Sequence, residues 1–70
     1  MSSARRPTIR NRWAGAELRR RRRRTGLTEA DVERRIGAPP GAVSDLEAGR
    51  AVLDDVTEQR ILAVLRRAHR

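Results

Sequence analysis

Arginine is the residue type with the greatest capacity for chemistry in this sequence. The chain has 17 basic residues, every one of them arginine, against 9 acidic residues, which gives a net charge of +8. The guanidinium group is planar and makes paired hydrogen bonds to phosphate oxygens and to carboxylates. A small domain this basic predicts binding to nucleic acid first, and to an acidic protein or a membrane surface second.

No combination of residues is typical of an enzyme or of a metal site. His69 is the only histidine and the penultimate residue, where side chains are usually solvated. Asp54 and Asp55 are adjacent, but a calcium site needs about six oxygen ligands spread through a loop, so a helix start explains them better. There is no cysteine, which excludes disulfides and Cys-based zinc sites. We therefore expect no enzymatic activity and no cofactor.

Length and hydropathy limit the architecture to one small domain. Seventy residues allow a single core, and apolar residues make up 37% of the chain. They occur in short groups, never in a run long enough to span a bilayer. We expect a cytoplasmic protein without membrane association, located at the bacterial nucleoid if its partner is DNA.

Helix start and stop signals divide the chain into an arm and four helices. Residues 1–12 contain Arg5, Arg6, Arg10 and Arg12 and no acidic residue, which predicts a flexible basic arm. A first helix is predicted over residues 13–24, with Gly26 placed to end it.

The remaining signals predict three shorter helices. Thr28 provides a hydroxyl N-cap for the second helix, which Gly37 ends, and Pro40 suits the first position of the third, which Gly49 closes. Asp54 or Asp55 caps the fourth helix. The prediction is an all-α fold, with a compact four-helix domain over residues 13–70.

Two short helices joined by a glycine-containing turn form a helix-turn-helix unit. The positions that carry a closer resemblance are Leu18-Arg19, Arg22, Gly26-Leu27-Thr28, Val32, Ile36-Gly37, Val43-Ser44, Leu46-Glu47 and Gly49-Arg50. This pattern resembles the Cro and phage-repressor family of helix-turn-helix domains, the XRE family, whose fold is lambda-repressor-like. The opening Gly-Ala-Glu-Leu-Arg-Arg resembles regulators common in actinobacteria.

The resemblance implies a role for particular residues. Arg22 matches a first-helix arginine that pairs with the acid at the end of the third helix, which is Glu47 here. The alternative interpretation is that Arg22 is one member of a solvated run of arginines. The third helix is implied to enter the major groove of DNA, and the N-terminus of the second to meet a phosphate. Five residues match base-contacting positions, and two lie near the DNA backbone. The base-contacting positions are Pro40, Gly41, Ala42, Ser44 and Asp45, and the backbone positions are Thr28 and Glu29.

The sequence departs from the family pattern in its recognition helix. Arg, Lys, Asn and Gln make the paired hydrogen bonds that read purines, and this helix has none of them. Asp45 and Glu29 instead place negative charge near the DNA.

Two departures concern packing. Glu33 replaces a small residue, which predicts either an altered angle between the second and third helices or a carboxylate turned outward. Arg21 replaces a core leucine, so the first helix is predicted to be held mainly by Trp13, Leu18 and the pair at Arg22.

Three functions fit these observations. The first is a transcriptional regulator that binds duplex DNA chiefly through contacts of Arg5, Arg6, Arg10, Arg12 and Arg50 with phosphates. The second is a protein-interaction module that kept the fold and binds an acidic protein. The third is binding to structured RNA through the arm and the arginine run.

The last helix also predicts self-association. Ile61, Leu62, Val64 and Leu65 form an apolar face wider than one core contact needs. A homodimer through this face would cover it and would place two helix-turn-helix units on adjacent half-sites.

Overall fold

The computed structural model describes the backbone of residues 9–68 and the side chains of residues 12–68. Within this range the chain forms α1 (Ile9–Thr25), α2 (Glu29–Ile36), α3 (Ala42–Glu47) and α4 (Asp55–Ala68), and no strand. The all-α fold with four helices is confirmed.

The core lies where all four helices meet. α1 packs against α3 and α4, and α2 packs against the same two helices. Each helix contributes one or two buried aliphatic side chains, because its apolar residues recur at helical spacing on one face. The buried side chains are Leu18, Val32, Val43, Leu46, Ile61 and Leu65, with Leu27, Ile36, Ala51, Leu53 and Leu62 around them.

Gly15 brings α1 into backbone contact with the end of α3. A Cβ atom added at Gly15 would collide with the carbonyl oxygens of Leu46 and Glu47. Three residues before Gly15, the side chain of Arg12 lies directly against Gly49, whose φ of 76° is left-handed. The first part of α1 is therefore held against the C-terminal end of α3, at a distance that only glycine permits.

The start of α1 differs from the prediction. The helix begins at Ile9 rather than at Trp13, so Arg10 and Arg12 lie on α1 rather than in an arm. No residue from Ile9 to Arg12 is a strong helix breaker, which is why the helix continues toward the N-terminus. Arg5 and Arg6 lie outside the described residues, as does the side chain of Arg10.

The prediction that Trp13 anchors the first helix in the core is wrong. Its side chain is 68% exposed, whereas Leu18 is buried. At about 100° per residue, Trp13 is turned about 140° around the helix from Leu18. The face of α1 that carries Gly15, Leu18 and Arg22 packs inward, and Trp13 lies on another face.

Pro40 does not start α3. The helix begins at Ala42, with Gly41 as its N-cap in the left-handed region at φ 88°. The backbone N–H of Ala42 donates to the carbonyl oxygen of Pro39 across 3.1 Å, so Pro40 lies inside a turn. The predicted first helical position was wrong because the reversal at Gly41 comes after the proline.

The last helix uses much of its apolar face inside the domain. Asp54 caps α4, because its carboxylate accepts a hydrogen bond from the Thr57 backbone N–H at 2.7 Å. Ile61 and Leu65 are buried in the core of their own chain, and Leu62 packs against it. The predicted dimer surface is therefore wrong for Ile61 and Leu65, which are not available to a second copy.

Candidate nucleic-acid interface

The N-terminus of α2 is capped by a reciprocal pair of hydrogen bonds. Thr28 Oγ1 accepts from the Asp31 backbone N–H at 3.0 Å, and the Asp31 carboxylate accepts from the Thr28 backbone N–H at 2.9 Å. That second bond holds the pKa of Asp31 below its usual value. At the other end, Gly37 is left-handed at φ 75° and donates its N–H to the carbonyl oxygen of Glu33, as the glycine signal predicts.

Glu33 links the two helices of the helix-turn-helix unit. Its side chain is turned inward and the residue is only 6% exposed. Its Oε2 atom accepts a hydrogen bond from the backbone N–H of Val43 at 3.0 Å, in the first turn of α3. Gly41, the N-cap of α3, has no side chain that could serve this N–H. Glu33 therefore acts as the missing cap, and of the two predicted alternatives the outward-turned carboxylate is wrong.

The exposed surface of α3 carries most of the residues that were matched to base contacts. Pro40, Gly41 and Asp45 are exposed, and Ala42 and Ser44 are half-buried. Val43, Leu46 and Glu47 of the same helix are buried. The positions implied by the resemblance thus share one accessible surface at the N-terminal and outer side of α3.

Arg50 lies on this same surface, folded back over α3. Its Nε atom donates to Asp45 Oδ1 at 3.0 Å, and its Nη2 atom donates more weakly to Ser44 Oγ at 3.4 Å. Its backbone N–H donates to the carbonyl oxygen of Asp45 at 2.8 Å. The sequence suggested Arg50 only as a phosphate contact and left Asp45 as an unbalanced charge. The signal that was missed is the turn at Gly49, which returns an arginine to the acid five residues before it.

Arg22 and Glu47 connect α1 to the end of α3. Arg22 donates to Glu47 through Nε at 2.7 Å and Nη2 at 3.0 Å, and through Nη1 to the carbonyl oxygen of Leu27 at 2.9 Å. The side chains are 12% and 4% exposed, so both charges are largely removed from water. The hydrogen bonds to Glu47 raise the pKa of the Arg22 guanidinium. The arginine is a positioning residue of the fold rather than part of a solvated run.

Glu29 stands beside this pair at the start of α2. It lies 4.0 Å from Arg22, and its side chain is 39% exposed. Partial burial and the nearby Glu47 carboxylate raise the pKa of Glu29. The acid therefore lies in a site with too little compensating positive charge.

Most of the other arginines point to solvent. Glu17 pairs with Arg20 and Arg21 along α1, and Asp31 pairs with Arg34 along α2. The remaining arginines with described side chains make no ion pair within residues 12–68, and all of them are exposed. They are Arg12, Arg19, Arg23, Arg24, Arg35, Arg60, Arg66 and Arg67. This gives the domain a basic surface that can meet a polyanion.

A separate apolar feature lies between α1 and α4. Two adjoining depressions share Glu17, Arg21 and Leu62, and we call them together the α1–α4 groove. Trp13 stands at one end, and Arg24 and Arg66 stand at the other. The groove is not on the α3 surface, so the domain has two distinct places where a partner could bind.

The described part of the chain contains neither a membrane-spanning helix nor a metal-binding cluster. No helix between residues 9 and 68 is long and apolar enough to cross a membrane. No group of three or more His, Asp or Glu side chains there is arranged to hold a metal ion.

Comparison with known proteins agrees with this geometry. Residues 13–70 match a family model described as a helix-turn-helix domain. No curated protein and no solved structure matches the chain. The matched residues contain the capped α2, the turn and α3, together with the helices that support them. Because the match covers most of the sequence, the chain belongs to the helix-turn-helix domain family, whose members are in general DNA-binding modules of regulators.

Proposed function

We propose that this protein is a DNA-binding transcriptional regulator of the Cro and phage-repressor type. In this proposal α3 faces the major groove, and arginines around it bind phosphates. Such a regulator would act at the bacterial nucleoid. The observation that carries the proposal is the exposed surface of α3, which is accessible and is bordered by arginines on its C-terminal side.

The border consists of Arg12 and Arg50. Arg12 lies against Gly49, and Arg50 follows that glycine in the chain, so both belong to the same edge of the domain. Arg10 precedes Arg12 by two residues, and Arg5 and Arg6 are close to it along the chain. These five side chains are the proposed phosphate contacts. Thr28 is proposed to meet a further phosphate from the N-terminus of α2.

The dependence of affinity on salt tests this proposal. With roughly five phosphate contacts, log K for duplex DNA should fall with log salt at a slope of about −4 to −5. Alanine at Arg12 should reduce the slope by about one. Arg24→Ala is the matched control, because Arg24 is exposed on the same helix about 18 Å further along its axis.

The outcomes separate this function from the RNA alternative. Tight binding that hardly responds to salt or to Arg12→Ala would contradict phosphate-based affinity. Equal affinity for structured RNA of the same length would favour binding to RNA instead, since an arginine-rich surface needs no major groove.

A second function is favoured by Trp13 and the α1–α4 groove. Trp13 is the only aromatic residue of the chain, yet it stays 68% exposed beside this groove. Tryptophan and arginine are the residue types most enriched at the energetic centres of protein interfaces. Three arginines and two acids line the groove, and Glu17 is already paired with arginines, Arg21 among them. The lining charges are Arg21, Arg24, Arg66, Glu17 and Glu58, so the groove stays basic on balance. The groove thus suits an acidic amphipathic helix of a partner protein.

Trp13 also provides the measurement. Titration with a synthetic amphipathic helix bearing leucines and glutamates should shift Trp13 emission to the blue, and a lysine version of the peptide should not. Arg66→Glu should abolish the shift, whereas Arg60→Glu, exposed on α4 but outside the groove, should leave it intact. No shift with the wild type would contradict this function. If the chain alone sediments as a dimer that Arg66→Glu dissociates, a second copy occupies the groove instead.

A further inference from the structure

The surface of α3 lacks a residue of its own that can make the paired hydrogen bonds by which a purine is read. Among its exposed and half-buried positions, Ala42 and Gly41 offer no side-chain donor and Ser44 offers one. Reading a purine in the major groove usually needs two donors or acceptors held side by side. By this criterion the helix would bind DNA with little preference for sequence.

Arg50 changes this conclusion because its guanidinium lies on the same surface. A guanidinium presents N–H groups along two edges, one formed by Nε and a terminal nitrogen and the other by both terminal nitrogens. Asp45 and Ser44 accept hydrogen bonds from Nε and Nη2 of Arg50. These bonds occupy the first edge and leave the second, with its two parallel N–H donors, for a ligand.

The backbone holds Arg50 in the same place. Gly49 takes a left-handed conformation at φ 76°, and the N–H of Arg50 then donates to the carbonyl oxygen of Asp45. Main chain and side chain of Arg50 are therefore both bound to a single residue of α3. The Asp45 and Arg50 side chains are 53% and 61% exposed, so the ion pair itself adds little stability. Together with the backbone bond it supplies a preferred orientation for a long and flexible side chain.

Two parallel N–H donors match the O6 and N7 acceptors of guanine in the major groove. We infer that Arg50 reads a guanine in the bound DNA, and that Asp45 and Ser44 are positioning residues that orient its guanidinium. The inference rests on the proposed DNA binding, and it replaces a phosphate contact by a base contact at Arg50. It also explains the presence of Asp45, because a carboxylate that orients Arg50 is tolerated on a surface where an unpaired carboxylate would repel DNA.

The experiment starts with selection of bound sequences from a random duplex library, followed by affinity measurements on the selected site. One guanine should dominate a position of that site. Replacing that guanine by 7-deazaguanine removes the N7 acceptor and keeps base pairing, and it should weaken wild-type binding about tenfold.

Variants at Arg50 and Asp45 identify the reader. Arg50→Ala removes every side-chain donor at this position, so it should bind the two duplexes equally well, although more weakly than the wild type binds the guanine duplex. Asp45→Ala removes a negative charge, yet it should also lose most of the guanine preference. Arg60→Ala is the control and should keep the preference of the wild type. Circular dichroism verifies that each variant is folded.

Each result has a definite meaning. If the wild type binds duplex DNA with no guanine preference, or if Arg50→Ala keeps the preference, the inference is wrong while the proposed function stands. If Asp45→Ala keeps the preference, Asp45 is not a positioning residue. If the wild type does not bind duplex DNA at all, the proposed function itself fails.

Discussion

Arg22 of α1 donates hydrogen bonds to both carboxylate oxygens of Glu47, the last residue of α3, which lies 25 positions away in the sequence. Its remaining terminal nitrogen binds the carbonyl oxygen of Leu27, in the segment between α1 and α2. A single side chain thus joins the supporting helix, the entry to the helix-turn-helix unit and the end of its recognition helix. The orientation of α3 depends on this junction.

Loss of Glu47 should destabilise the domain strongly. Glu47→Ala would leave the largely buried Arg22 charge with only the more distant Glu29 carboxylate, and we expect a loss of about 3 kcal/mol in the free energy of unfolding. Arg22→Ala should have an effect of similar size. Arg20→Ala serves as the comparison, because Arg20 pairs with Glu17 at an exposed position and should cost under about 1 kcal/mol. Equally small effects at Arg22 and Arg20 in thermal melts would contradict the role given to the pair.

The acceptor atom of Glu33, more than its charge, should matter for stability. Glu33→Ala leaves the Val43 backbone N–H without its partner in a buried site, so a loss of about 1–3 kcal/mol is expected. Glu33→Gln keeps an oxygen at the same position and should lose under about 1 kcal/mol. Chemical denaturation of the two variants measures both values. An alanine variant as stable as the wild type would show that Glu33 does not cap α3.

Gly15 should resist replacement although it lies inside a helix. Intrinsic propensity alone predicts that alanine stabilises a helix by about 1 kcal/mol over glycine. At Gly15 the added methyl group collides with the backbone of α3, and we expect Gly15→Ala to destabilise the domain by about 1–3 kcal/mol instead. The neighbouring exposed Ala16 gives the propensity term by itself, through Ala16→Gly. A stabilised Gly15→Ala variant would mean that α1 and α3 can separate without cost.

Glu29 should make stability depend on pH in an unusual direction. Its pKa is raised in the folded protein, so its contribution to stability is full below the unfolded pKa of about 4.3 and is lost as pH rises through the folded pKa. At neutral pH Glu29→Gln should therefore be more stable than the wild type, by under about 1 kcal/mol because the side chain is partly solvated. The difference should vanish in acid.

Glu17 should make stability depend on pH in the opposite direction, and the same experiment can measure it. Its hydrogen bond from Arg20 lowers its pKa, so its stabilising contribution is present above the unfolded pKa and is lost as pH falls through the folded pKa. Glu17→Gln should be less stable than the wild type at neutral pH and equal to it in strong acid. Parallel pH profiles for the two variants would contradict at least one of the two assignments.

The sequence predicted the features that depend on local backbone rules. Thr28 begins α2 and Gly37 ends it, because capping needs only residues within one turn of each other. Start signals were less reliable where two rules competed. Pro40 fits a first helical position, but the left-handed Gly41 that follows moves the start of α3 to Ala42.

Contacts between helices were predicted poorly where they depend on the direction in which a side chain points from its helix rather than on its polarity. Trp13 is apolar, but the helical phase set by Gly15 and Leu18 turns it outward. Glu33 is charged, but its carboxylate points inward because it accepts a hydrogen bond from the Val43 backbone N–H at the start of α3. Hydropathy gives the preference of a side chain for water, and only the packed arrangement shows which backbone donors are close to it.

The interior formed by Leu18, Val32, Val43, Leu46, Ile61 and Leu65 is entirely aliphatic. With the one indole of the molecule already in water, fluorescence should change little when the domain unfolds. Unfolding is therefore better followed by the ellipticity of the helices. Leu18 shares the α1–α4 groove with Trp13, but the other methyl groups of this interior have no aromatic ring among the core side chains. Their proton resonances should therefore crowd into a narrow band even when the packing is well ordered.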